Sequence, residues 1–251
     1  YVLGGLEVQN LQQHDLAFTA FRARKLARGD ALLYLTASIE VTAYTARSSG
    51  DIEGYYAHLE NRYLANRVIE RRRTRASAVV AAADPLFLAS LYAYFYRYLV
   101  SGERAIGFPM IEVGGIDLSL TEGVRLVPWG REHELTIMGG APFASAASTF
   151  AIGEGPGGSS FTWTLRAADI PIARGVFATS RVHVARQPRL YVVDRNEPNV
   201  GMIGGARRRT VFAGNAGVEY RHGPWAFGGQ LGRKTDGYVP GTSYFAGWTG
   251  A

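Results

Sequence analysis

The sequence has no cysteine, which excludes disulfides and thiolate metal sites. Lysine is nearly missing as well: Lys25 and Lys234 are the lysines among 27 basic residues, and the rest are arginine. An arginine requirement at binding sites would produce this, because the guanidinium grips phosphate and carboxylate bidentately; a GC-rich coding bias would produce it equally. No methionine precedes Tyr1 and no charged-then-apolar leader follows it. The expectation is therefore a removed signal peptide or a sequence that is a portion of a longer product. No motif in the chain names a reaction. What is abundant is glycine, 31 of 251 residues against an average of about 7%, placed beside short apolar and aromatic runs where turns and close backbone approach need it. The net charge of +6 favours acidic partners, nucleic acid or lipid headgroups, without choosing between them.

The stretch ALLYLTASIEVTAYTA, Ala31 to Ala46, alternates apolar odd positions with hydrogen-bonding even ones, as a strand with two unlike faces would. With Asp15 to Ala27 as a preceding strand and Arg28-Gly29-Asp30 as the turn, residues 1–47 read as a hairpin. A helical stripe through Leu11, Phe18 and Phe21 competes with the strand in its first half. Residues 48–107 read as helical. Ile52, Tyr56, Leu59, Tyr63 and Val68 form one stripe, and Asp84 and Pro85 supply an N-cap and first position for a second apolar helix ending at Ser101-Gly102. From Phe108 to Ala251 short alternating runs return. Leu118 and Leu120 oppose Ser119 and Thr121; Phe161, Trp163 and Leu165 oppose Thr162, Thr164 and Arg166. Glycine- and proline-rich breaks separate them.

The polar faces of these runs carry Thr, Ser, Gly, Tyr and Asn with single charges, spare for a water-facing surface. With the high glycine and tyrosine and the missing cysteine, the strand texture over Tyr1 to Arg47 and Phe108 to Ala251 resembles Gram-negative outer-membrane β-barrels as a class. That resemblance implies a mainly β fold: an antiparallel up-and-down transmembrane β-barrel with residues 1–47 and 108–251 as wall and 48–107 as a helical insertion, plug, lid or interfacial layer. The alternative is a soluble β-sandwich or jelly roll with helices. Tyr44, Trp129, Trp163, Tyr220, Trp225, Tyr244 and Trp248 are candidates for interfacial girdles, and Tyr92, Tyr94, Tyr96 and Tyr98 suit a membrane interface. The class implies an outer-membrane location, contact with membrane lipid or lipopolysaccharide and with other envelope proteins, and a role as pore, scaffold or assembly component. The basic charge, the helical interruption and the ending SYFAGWTGA, without a terminal aromatic, depart from its pattern; the last leaves a final strand to be supplied. Ala76 to Val100 as a single membrane-crossing helix ranks lower, because Asp84-Pro85 and Arg97 interrupt it.

Candidate chemistry is sparse. Glu70 to Arg75, ERRRTR, with Arg67 before it, offers Arg67, Arg71, Arg72, Arg73 and Arg75 for an anion or lipid headgroup, against an ordinary solvated helix end. Arg207 to Arg209 form a second cluster whose charges would alternate between strand faces. Neither is interleaved with aromatics, so nucleic acid is expected only if the chain were a coat or shell protein. Glu132 and Glu134 share a strand face opposite His133, which reads as surface pairing. The five histidines have no metal-binding spacing, so no metal or cofactor is expected. His14 and Ser49 are the candidates should the chain be a barrel-type lipid acyl hydrolase; no catalytic residue is assigned.

Overall fold

The computed structural model describes residues 4–46, 51–141, 143–188, 209–223, 225–242 and 247–250. Among the described residues, those before Ser101 are mainly helical and those after it mainly antiparallel β. Helices α1 (Gly4–Arg22) and α2 (Arg28–Ala46) are joined by a short strand β1 (Lys25–Ala27), which pairs with β2 (Ala105–Gly107). Helices α3 (Asp51–Tyr63), α4 (Arg67–Ala81) and α5 (Pro85–Tyr92) follow, and α5 runs on as a π-helical segment, Ala93–Val100.

The expected strands within residues 1–47 are thus helices. In α2 the buried positions are Ala31, Tyr34, Leu35, Ala37, Ser38 and Val41, mostly spaced three and four apart as on one side of a helix. The same sequence alternates only because Leu33 and Ile39, 58% and 51% exposed, fall on odd positions outside that stripe. Arg28-Gly29-Asp30 is the first turn of α2 rather than a hairpin turn. The competing stripe in α1 is the observed one, with Phe18 and Phe21 buried in the main core alongside Tyr34, Leu86 and Tyr98. The helical reading of the next segment holds: Ile52, Tyr56 and Leu59 are buried together against Leu126. Val68 leaves that stripe because the helix breaks between Tyr63 and Arg67, where Asn66 caps α4 by accepting from the backbone N–H groups of Val68 and Ile69.

The large sheet has nine strands in sequence order, β3 (Ile111–Val113), β4 (Ile116–Val127), β5 (Gly130–Ala141), β6 (Ala144–Glu154), β7 (Ser160–Ala173), β8 (Val176–Gln187), β9 (Arg209–His222), β10 (Trp225–Lys234) and β11 (Gly247–Gly250). Every neighbouring pair is antiparallel, an up-and-down meander. The sheet is open: β3 and β11 are its edges and do not pair with each other.

Connections differ between the two ends of the sheet. At one end Val113 leads to Ile116, Ala141 to Ala144, Ala173 to Val176 and His222 to Trp225, all tight reversals. Gly114 and Gly115, both at positive φ (61° and 79°), give the first of these the backbone a two-residue hairpin needs. At the other end Glu154 leads to Ser160, Gln187 to Arg209 and Lys234 to Gly247, all longer; only Val127 to Gly130 is tight there.

The helical layer covers the start of the sheet. Asp84 accepts from Phe87 N at 2.9 Å, capping α5, and from Tyr34 Oη at 2.7 Å; its other oxygen accepts from Glu122 N at 3.0 Å on β4. One carboxylate therefore ties two helices to a strand. Burial raises its pKa above the usual aspartate value against the pull of those donors, and burial followed by the neighbouring carboxylate pushes the Tyr34 hydroxyl well above its own.

Candidate functional site

Pleating sends alternate residues of each strand to opposite faces, and here the two faces are inverted relative to a soluble sheet. One continuous cross-strand row is Leu135, Phe150, Trp163, Val184 and Phe212; Leu135, Phe150 and Phe212 are 39%, 37% and 54% exposed. The next row, one residue along each strand, is Thr121, Thr136, Thr149, Thr164 and His183. Thr136 and His183 are 5% and 2% exposed. In these two rows apolar side chains face outward and polar ones are covered; elsewhere on the covered face Met138, Ala147, Ala151 and Val211 are buried too.

The cover is α1, which lies across the polar face. Asn10 donates to Glu134 Oε2 at 3.1 Å and His14 Nε2 lies 3.1 Å from the same oxygen. Asp15 pairs with Arg166 on β7 at 2.6 Å. Arg22 makes two hydrogen bonds to Asp169, at 2.9 and 2.7 Å, and reaches Glu219 on β9 at 3.5 Å. Just beyond the helix, Arg24 pairs with Asp117 on β4 at 2.6 Å. Asn10, His14 and Asp15, within two turns of α1, reach this surface, and its apolar residues Phe18 and Phe21 join a core shared with Met138, Ala147 and Ala168 of the sheet.

At the centre of the network Arg125 on β4 binds Glu132, and also Glu134 at 3.0 Å. Ser160 on β7 donates to Glu132 Oε1 at 2.5 Å. Between them Gly153 leaves the required space: a Cβ there would stand 2.2 Å from Ser160 Oγ and 2.6 Å from Glu132 Cγ. Glu132 and Glu134 do share a face, but they are 0% and 4% exposed, so the expected surface pair is a buried ion network. Its legible signal was acid and arginine on the same face as the threonines, a face that only a covering polar helix can shield from water. His133 points the other way and sits 3.1 Å from Ser77 Oγ on α4. That hydroxyl also donates to Arg73 O at 3.0 Å, a common back-bond within a helix, and among the described residues no carboxylate hydrogen-bonds to His133.

Two arginines of α4, Arg67 and Arg71, pair with α3. Arg67 pairs with Glu60 at 2.6 Å, Arg71 binds Glu53, and Arg73 pairs with Glu70 at 3.1 Å. Arg75 donates to Ala46 O at 3.2 Å, and Arg72 is exposed. His14 is held by Glu134, and Ser49 and Tyr244 lie outside the described residues, as do Arg207 and Arg208. Of the girdle candidates, Trp225 and Trp248 are exposed at opposite ends of the sheet, whereas Trp129 is buried against Val127 and Tyr238. Tyr92 and Tyr96 are exposed and stacked, while Tyr98 is buried and donates to Leu26 O at 2.6 Å. Among the described residues no group of His, Asp and Glu is placed to hold a metal ion. No single described helix is long and apolar enough to cross a membrane; Arg67–Ala81 and Pro85–Val100 meet the length and composition together but are bent by 55° at Asp84. No family model, curated protein or solved structure matches the chain.

Proposed function

We propose that the chain is an integral outer-membrane protein of the β-barrel type, whose outward apolar face meets lipid and whose α1 occupies the enclosed side. The observation that carries this is the inversion of the sheet: Leu135, Phe150 and Phe212 uncovered, Glu132, Glu134 and Thr136 buried. Soluble monomers rarely leave an apolar patch spanning several strands, and a hydrocarbon surrounding removes the cost. Two further features support the reading. Strands β4 to β9 contain 11 to 14 residues each, enough to cross a bilayer, which takes roughly 9–11. Tight turns gather at one end and longer connections at the other, the asymmetry of transmembrane barrels.

In this reading the protein is a scaffold or envelope-assembly component rather than an open pore, because α1 and its ion pairs lie across the polar side and leave only clefts there. Trp225 and Trp248 sit at the two headgroup levels, and Arg72 and Arg75 of α4 are available to anionic headgroups or lipopolysaccharide. A closed wall requires the β3 and β11 edges to meet or to pair with further strands. The test is fractionation of cell envelopes with heat-dependent gel mobility of the purified chain. Recovery in the outer membrane, with faster migration before heating than after, is expected. A monodisperse protein in detergent-free buffer would refute the reading.

A further inference from the structure

One row of the polar face is not neutralised from within. Cross-strand partners place Ala147, Arg166, Arg181, Asn215 and Gly232 side by side on β6 to β10. Two arginines directly opposite each other repel. Arg166 is answered by Asp15 at 2.6 Å and lies 4.9 Å from the centre of the Phe18 ring. Arg181 has no carboxylate within ion-pair distance among the described residues, and its Nε is shut off from solvent without an acceptor. Asn215 stands next along the row, and the nitrogen of its amide is a donor. The remaining nearby acid, Glu219, is engaged by Arg22 and Arg221 at 3.5 and 2.5 Å.

These groups line an open cleft of about 490 Å³ between α1 and strands β7 to β10, with Arg166, Arg181, Thr179, Asn215 and Gln230 on its walls. Gly228 and Gly229, beside Gln230, also line it. An unanswered guanidinium in a cleft is costly unless a charge arrives to satisfy it, and a guanidinium fork matches an oxyanion in geometry as well as charge. We infer that this cleft binds a phosphate group, held between Arg181 and Arg166 with Asn215 and Thr179 as further hydrogen-bonding partners. The inference does not depend on a bilayer outside the sheet, since the cleft lies on the opposite face. The phosphate could belong to a small soluble molecule or to a lipid headgroup, and the experiment separates the two.

Calorimetric titration of the full chain in nonionic detergent would use inorganic phosphate in one arm and phosphatidylglycerol in mixed micelles in the other. Saturable binding is expected in at least one arm, weakened tenfold or more by Arg181→Gln, less by Arg181→Lys, and unaffected by Arg186→Gln on the outward face. Saturation by inorganic phosphate assigns a soluble ligand; saturation by the lipid alone, with the same dependence on Arg181, assigns a headgroup. Should Arg181→Gln not fold, the wild-type thermal midpoint must rise with phosphate more than with chloride at equal ionic strength. No saturable binding in either arm, or equal binding by wild type and a folded Arg181→Gln, overturns the inference; so does an equal midpoint in phosphate and chloride where that variant does not fold.

Discussion

In the helical layer Ile52, Tyr56 and Leu59 point inward and Arg72 points out, whereas on β5 Glu134 points inward and Leu135 points out. The two regions are contiguous in chain and packed on each other at β4, yet they sort their side chains by opposite rules. A helix bundle that buries its apolar stripe is held by hydrophobic contact, at roughly 25 cal/mol for each Å² removed from water. A sheet that buries Arg125, Glu132, Glu134 and His183 is held on that side by paired charges and hydrogen bonds, which stabilise only when every member has its partner. The sheet has apolar contacts on its inner side as well, Met138, Ala147 and Ala168 against Phe18 and Phe21, but its outward row of Leu135, Phe150 and Phe212 is left to whatever solvent surrounds it. The difference between the regions is therefore a statement about two solvents.

The largest expected effect breaks the polar side. Glu134→Ala strips Arg125, His14 and Asn10 of their shared acceptor and should cost about 3–5 kcal/mol in denaturant unfolding, with α1 released from the sheet. An unchanged midpoint would mean that the network does not hold the helix. The outward side gives the next effect. Leu135→Arg or Phe150→Arg should lose roughly 2–4 kcal/mol if the face lies in hydrocarbon, but stay within about 0.5 kcal/mol if water surrounds it. Unfolding from lipid vesicles reads the difference directly.

The junction sharpens the comparison. Asp84→Ala removes the acceptor for Tyr34, Phe87 N and Glu122 N, and a loss of roughly 2–3 kcal/mol is expected. Asp84→Asn removes the titration while keeping one acceptor oxygen, so its difference from wild type across pH reads the pH effect on top of a constant cost for the lost acceptor. Burial raises the folded-state pKa of Asp84, so above the unfolded value of about 3.9 the native state still holds a proton that the unfolded chain has lost. Stability from this group is then fully present below that value and declines as pH rises through the folded pKa. Asp84→Asn should gain on wild type across that window and level off above it; a constant difference between the two proteins would refute the shift. The smallest effect lies in the helical layer's surface. Arg71→Ala breaks one partly exposed ion pair with Glu53 and should change stability by only about 0–1 kcal/mol.

Much of the sheet was legible from residue order. The alternation in Phe161 to Arg166 and in Leu118 to Thr121 gave the strands and their unlike faces. The N-terminal error has a physical origin. Ala31 to Ala46 satisfies a period of two and a period of 3.6 together, and alanine and leucine favour the helix while their spacing mimics a strand. The ion network was half legible. Glu132 and Glu134 were correctly placed on one face, but Asn10 and His14, the α1 partners of Glu134, are more than a hundred residues away in a segment read as strand. Long-range pairing of this kind leaves no local pattern.

The absence of cysteine makes the central claim directly measurable. Single cysteines at Leu135, Ile137 and Phe150, and at Thr136 and Thr149 for comparison, can carry a polarity-sensitive fluorophore in lipid vesicles. The account predicts blue-shifted emission quenched by lipid-borne nitroxide at the first three positions and little quenching at the other two. Equal quenching at both sets, or ready quenching of the first three by aqueous iodide, would contradict it.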